Sequence, residues 1–388
     1  MIARSISAEI IRLSKKFPVI TITGPRQSGK TTLIRNLFPD KKYVSMEIPE
    51  TRLQALSDPN QFLANFPDGA VIDEAQHVPD LFSYIQGIVD ENNTPGQFIL
   101  SGSQSFLLHH RITQSLAGRT AIFRLFPFSI SELKKSDISF KTYGEYLYTG
   151  FFPRIYDQQI DPGDFYPNYM QTCVERDIRS LQNIQDLNAF IRFVGLCAGR
   201  VGQILDLTSL GNDCGISSNT AKAWISLLEA SYFIFLLHPH HKNFSKRLIK
   251  RPKLYFIDPG LCCSLLHIEN REQLSNHYLK GALFENLMLL ELLKRLNNQA
   301  KKPNLYFWRD HHGTEIDLVI ETAGDLIPVE IKSAQTWDPE FFTNLHKWNT
   351  YGNYPKDHSI VIYGGDETIK TSSGRIISWK DVDQLKLS

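Results

Sequence analysis

Little cysteine, no long apolar run and almost no net charge mark this chain, and each shortage excludes something. The 388 residues contain five cysteines, Cys173, Cys197, Cys214, Cys262 and Cys263, none in a C-x-x-C pair. Neither a disulfide framework nor a thiolate metal site is expected from such a scattered, odd set; buried packing in a reducing compartment is. No stretch approaches the roughly 18 consecutive apolar residues that a membrane-spanning helix needs. The opening residues 1–13 are amphipathic and carry Glu9 and Arg12, without the unbroken apolar core of a secretion signal. A cytoplasmic protein with no membrane partner is therefore expected. Lys and Arg number 42 against 41 Asp and Glu, so any basic surface must be local. Internal repeats and low-complexity tracts are also missing. What remains is globular: 42% hydrophobic and 21% charged, at a length that implies two or three domains.

The strongest positive signal lies near the start. Gly24, Pro25, Arg26, Gln27, Ser28, Gly29, Lys30 and Thr31 fill the pattern G-x-x-x-x-G-K-[ST], and Thr32 follows. The apolar run from Pro18 to Thr23 reads as a buried strand before it, and Thr32 to Leu37 reads as a helix after it. A strand, a glycine-bearing loop and a helix place backbone N–H groups and a positive helix end around a phosphate. Lys30 is then expected to reach the β- and γ-phosphates of ATP, and Thr31 to bind Mg²⁺.

Further apolar runs at 42–46, 69–73, 97–101 and 121–125 alternate with helical segments, which predicts a parallel sheet covered on both faces. The second run ends in Asp73 and Glu74. Asp73 is expected to hold the Mg²⁺ water shell and Glu74 to orient and deprotonate the attacking water. The alternative is a solvated helix cap. Between Lys30 and Asp73 there is room for one helix–strand–helix excursion, as in ATPases with another strand between the two motifs. Ser103, past the third run, is either a γ-phosphate sensor or part of a plain turn. Arg119 either stabilises transition-state charge, in cis or from a neighbouring subunit of a homo-oligomer, or is an ordinary surface arginine.

From about 143 to 230 the pattern is helical. Helices are expected from Asp186 toward Gly199, over 201–210, and after a cap at Ser217 or Ser218. Apolar strands at 232–237 and 253–258 follow. Three helices and a two-stranded ribbon are the order of a winged helix-turn-helix. The ribbon's connection holds Lys242, Lys246, Arg247, Lys250, Arg251 and Lys253 with no acid. This basic wing, 242–253, either contacts DNA phosphates, stays solvated, or docks on the acidic side of another domain. His238, His240 and His241 read as a polar turn rather than a metal cluster.

The last third opens with a helix near 279–296 that carries Glu285, followed by strand-like runs at 305–308, 315–320 and 327–332. Glu330 and Lys332 share one strand face, and a hairpin can bring Asp317 beside them. An acid followed by D…E-x-K is what a restriction-type nuclease uses: two carboxylates hold Mg²⁺ and the lysine orients water. The same residues could form an ion-pair ladder instead.

With these residues assembled, the chain resembles a family of prokaryotic ATP-binding proteins that join an AAA-type ATPase domain to a C-terminal domain of uncharacterised function. The resemblance spans nearly the whole chain. It rests on 24–33, 72–76, 101–103, 115–119, 175–178 (Glu175 to Ile178), 253–261 and 281–286. It implies an α/β architecture: an AAA-type P-loop sheet at 1–135, a helical winged-helix domain at 136–265, and a restriction-nuclease-like domain at 266–388. The function expected is a Mg²⁺-dependent ATPase coupled to DNA binding or processing. An ATP-gated nuclease and a non-catalytic, ATP-dependent protein-interaction switch are the alternatives.

Overall fold

Short runs of β-branched and aromatic residues form three sheets in the computed structural model, which describes residues 2–103, 115–173, 184, 186–241, 249–322 and 324–385. The first sheet holds β1 (Val19–Thr23), β2 (Tyr43–Ser45), β3 (Val71–Asp73), β4 (Phe98–Gly102) and β5 (Thr120–Arg124). Its order is β2-β3-β4-β1-β5, and every pairing is parallel. β1, β3 and β4 are buried throughout, as sheet strands covered on both faces must be. One face packs with Ile6, Ile10, Leu33 and Ile34, the other with Phe62, Leu81, Phe82 and Ile85. β4 lies between β1 and β3 in the sheet, while β2 is the strand of the helix–strand–helix excursion for which the spacing between Lys30 and Asp73 leaves room.

Beyond the sheet the chain is helical, with helices at Tyr143–Thr149, Pro153–Asp157, Pro162–Cys173, Leu187–Ala198, Leu207–Cys214 and Ser218–Ala230. Side chains of Asp186 and Ser217 cap the two helices whose starts the sequence suggests. The helix expected over 201–210 begins later, at Leu207, because Asp206 takes hydrogen bonds from the amides of Thr208 and Ser209. Ile204, just before it, forms a bridge with Lys253 instead. An antiparallel ribbon follows, β6 (Ile234–Leu237) with β7 (Lys253–Phe256).

The last sheet contains β8 (Leu305–Arg309), β9 (Glu315–Thr322), β10 (Asp325–Lys332), β11 (Ile360–Tyr363), β12 (Ile369–Thr371) and β13 (Gly374–Ser378), in the order β12-β13-β11-β10-β9-β8. β8, β9 and β10 pair antiparallel, whereas β10, β11 and β13 run parallel. The 19-residue helix Lys280–Asn298 packs on this sheet with residues buried on most of its surface. One continuous apolar core runs from Phe193 and Leu254 through Leu287 to Val329 and Ile362, so helices, ribbon and last sheet share an interior. All five cysteines are buried, and none is in a disulfide. Among the described residues no helix is long and apolar enough to cross a membrane.

Candidate nucleotide site and a buried acidic cluster

The loop from Gly24 to Thr31 leaves the C-terminal end of β1 and turns into the helix Lys30–Leu37. Gly24 has φ +148°, and a Cβ there would sit 2.2 Å from the carbonyl oxygen of Leu125, so only glycine fits. Gln27 and Gly29 also take positive φ, at 58° and 90°, which curls the loop. Lys30 Nζ folds back onto the carbonyls of Gly24 at 3.0 Å and Pro25 at 2.8 Å. Arg26 lies 3.9 Å from Glu47 in an ion pair. The Ser28 hydroxyl is buried with no hydrogen-bond partner among the described residues. Arg26, Gln27, Gly29, Lys30, Thr31 and Thr32 all line one cleft of about 520 Å³.

Two carboxylates at the end of β3 meet this loop. Thr31 Oγ1 donates to Asp73 Oδ2 at 2.7 Å. Asp73 also accepts from Tyr43 Oη at 2.5 Å, from the Ser101 hydroxyl, and from the Glu74 amide at 3.1 Å. Burial, then the Asp73 carboxylate, pushes the Tyr43 hydroxyl up to about 12. Glu74 stands at φ +53°, an unfavourable conformation for a residue with a Cβ. Its carboxylate is held by the Ser103 amide at 3.3 Å, the Ser103 hydroxyl at 3.1 Å, and Gln76. Ser103 thus acts on Glu74, and Ser101 on Asp73. Tyr43 has no sequence signal, because it works only through the adjacency of β2 and β3; Gln76 reaches Glu74 locally, two residues on in the turn after β3.

The opposite wall of the cleft comes from the helical segment, with Pro153, Arg154, Asp157 and Gln158 facing Lys30 and Thr31 across it. Arg119, by contrast, sits at the N-terminal end of β5, in register with the start of β1 and at the far edge of the sheet from the loop. Both its Nε and Nη2 engage Asp90, the latter at 2.9 Å. That placement corrects the expectation of an in-cis role: parallel strands put the two ends of β1 and β5 on opposite sides of the sheet.

A second polar site joins the ribbon to the last sheet. Lys332 Nζ lies 2.5 Å from Glu330 and 3.5 Å from Asp317, whose Oδ2 also accepts the Ile331 amide at 2.9 Å. Glu285 accepts from Lys253 Nζ at 3.1 Å and from the Tyr255 hydroxyl, and Lys253 reaches Glu315 at 2.5 Å. Burial, with Asp317 opposite, pushes the Glu330 carboxyl up to about 9 against the pull of Lys332. Burial also raises Glu285, against Lys253. Asp317 resists the same burial, because Lys332 and Lys253 hold it below the usual carboxylate range.

These contacts correct the reading of Lys253, at the end of the 242–253 stretch, as part of an exposed basic wing. Lys253 is 2% exposed and faces acids, the docked alternative. Arg251 pairs with Asp206. Lys250 is exposed, while Lys242, Lys246 and Arg247 lie outside the described residues, as do Glu175 to Ile178. The backbone at His238 and His240 pairs with Phe307 along the edge of β8. Among the described residues no three His, Cys, Asp or Glu side chains are arranged to hold a metal.

Three family descriptions match the chain: an AAA domain over 16–134, a domain of unknown function (DUF8612) over 140–272, and a domain of unknown function (DUF4143) over 280–382. Uncharacterized proteins of Mycobacterium bovis and Mycobacterium tuberculosis are each 30% identical over 399 residues, spanning 98% of this chain and 86% of theirs. An uncharacterized protein of Methanocaldococcus jannaschii is 24% identical over 345 residues, 80% of this chain and 74% of its own. Among solved structures, a Walker-type ATPase of Pyrococcus abyssi covers 68% of this chain and 96% of its own, with 13% identity and a TM-score of 0.47.

Proposed function

Given that the chain belongs to the family of these uncharacterized mycobacterial proteins and carries an AAA domain, we propose that it is a Mg²⁺-dependent ATPase whose nucleotide cycle is coupled to DNA binding or processing. The observation that carries the ATPase reading is the meeting of Thr31 with Asp73, across an intervening strand, beside Lys30 and the serine-held Glu74. Thr31 and Asp73 form an all-oxygen donor set that suits Mg²⁺, which when bound would neutralise phosphate charge. Gly24 and Gly29 let the backbone approach the phosphates, Lys30 moves from its loop carbonyls to phosphate oxygens, and Glu74 takes a proton from the attacking water. Ser103 and Gln76 keep the Glu74 carboxylate pointed at that task. Phosphate release from ATP tests it: Mg²⁺-dependent turnover in the wild type, lost in Lys30→Ala, is expected.

The DNA part of the reading rests on the three helices and the ribbon, which together suit a winged helix-turn-helix, with Lys250 on the connection. A DNA affinity that falls steeply with salt would support it, and one indifferent to salt would remove it. A restriction-type nuclease in the last domain is the second reading, favoured by the convergence of Asp317, Glu330 and Lys332 on adjacent strands. It requires Mg²⁺-dependent nicking that disappears in Asp317→Ala and Lys332→Ala.

A further inference from the structure

The phosphate loop is gripped from behind by Arg4, whose side chain is 7% exposed. Its Nη1 donates to the Ser28 carbonyl at 2.9 Å and its Nη2 to the Phe126 carbonyl at 2.5 Å. Its Nε reaches Glu132 Oε1 at 3.3 Å, an oxygen that the Ser5 amide also bonds at 2.7 Å. The guanidinium carbon lies 4.8 Å over the Phe128 ring. The planar fork thus serves carbonyls on two different segments and a carboxylate at once, in fixed directions.

In a trans peptide the C=O and the following N–H point in opposite directions. Holding the Ser28 carbonyl therefore fixes the Gly29 N–H, turning it away from Arg4. Gly29 needs such an anchor, because at φ +90° and without a side chain its peptide plane is free to flip. It is also the residue that opens the helix Lys30–Leu37, where amides face an anion.

We propose that Arg4 is a positioning residue for the nucleotide's phosphates: by pinning the Ser28 carbonyl it keeps the Gly29 N–H aimed at them. This rests on the reading of the loop as a nucleotide site. The same fork ties the loop to the turn at Phe126–Glu132, where the chain leaves the parallel sheet, so the loop's peptide is keyed to the rest of the molecule.

Calorimetric titration of the full chain with ADP and with ATP, alongside thermal melts, tests the proposal on Arg4→Met, Arg4→Lys and Lys294→Met. Lys294 is buried and donates to the Phe128 carbonyl at 2.7 Å and to Glu291 at 3.2 Å, so its loss loosens the same turn without touching the loop. Arg4→Met is expected to weaken both nucleotides about tenfold, raising KM for ATP with little change in kcat. Arg4→Lys keeps the charge but not the fork; it is expected to lose several-fold, and it carries the test should the methionine variant fail to fold. Lys294→Met is expected to melt earlier yet bind ADP within twofold of the wild type. Wild-type affinity in a folded Arg4 variant overturns the proposal. So does an equal loss of binding in Lys294→Met. Failure of the wild type itself to bind either nucleotide overturns the nucleotide reading instead, and is recognised without any variant.

Discussion

Asp73 accepts from Thr31, Tyr43, Ser101 and the amide of Glu74, which leaves its carboxylate fully engaged and its position fixed by three other elements of the fold and by its own neighbour. Glu74 next to it has fewer, more adaptable partners, as suits a group that must handle a proton. Glu74→Gln is therefore expected to keep ATP affinity while lowering phosphate release by about 10²-fold or more; equal release by both proteins would remove Glu74 from the chemistry. Glu330 makes a different prediction. Its folded pKa, about 9, lies above the unfolded carboxylate value, so the folded state holds an extra proton between those limits. The stability this confers is complete at low pH and is lost as pH climbs through that window, by up to about 1.4 kcal/mol per pH unit. Glu330→Gln, which mimics the protonated form, is expected to melt close to the wild type near pH 5 and above it near pH 9.

At the level of elements, short helices here depend on their caps. Asp206 caps the helix Leu207–Cys214 near the surface, and Asp206→Ala should lower the midpoint of a denaturant titration modestly. Asp258 does more. It caps the helix Pro259–Leu265 through the Leu261 amide at 3.1 Å, and also takes the Phe151 amide at 2.8 Å and the Tyr166 hydroxyl at 2.7 Å, all buried. Asp258→Ala would strand the buried Phe151 amide as well as the cap and leave the Tyr166 hydroxyl only the Thr149 carbonyl, 3.1 Å away, so a loss of about 3 kcal/mol is expected. A cost no larger than that of Asp206→Ala would show that water satisfies them.

For the whole molecule, Lys253 is the decisive ion. It crosses from the ribbon to acids on the helix Lys280–Asn298 and on β9, inside a core shared by the helical segment and the last sheet. Burial alone would lower its pKa, but Glu285, Tyr255, Asp317 and Glu315 together raise it, so it stays charged. Removing one partner of a buried pair leaves the other charges uncompensated, which typically costs about 3–5 kcal/mol. Lys253→Met is expected to lower thermal stability by that order, with helical segment and last sheet melting in one transition. Two separated transitions would deny the shared interior.

The sequence by itself determined what depends on neighbours in the chain: the strand–loop–helix around Gly24 to Thr31, the carboxylates ending β3, the parallel alternation of the first sheet, and the pairing of Glu330 with Lys332 across one residue. Local spacing and backbone conformation dictate each of these. Tertiary structure alone decided that Arg119 faces away from the loop, that Lys253 is buried against acids, that Tyr43, Ser101 and Ser103 tether Asp73 and Glu74, and that Arg4 reaches Ser28. It also added β11, β12 and β13, whose short apolar runs carry no motif. The reason is reach: a side chain's charge and hydrogen-bonding capacity are written in its identity, but which distant group meets it is set by strand order and by what the core brings together.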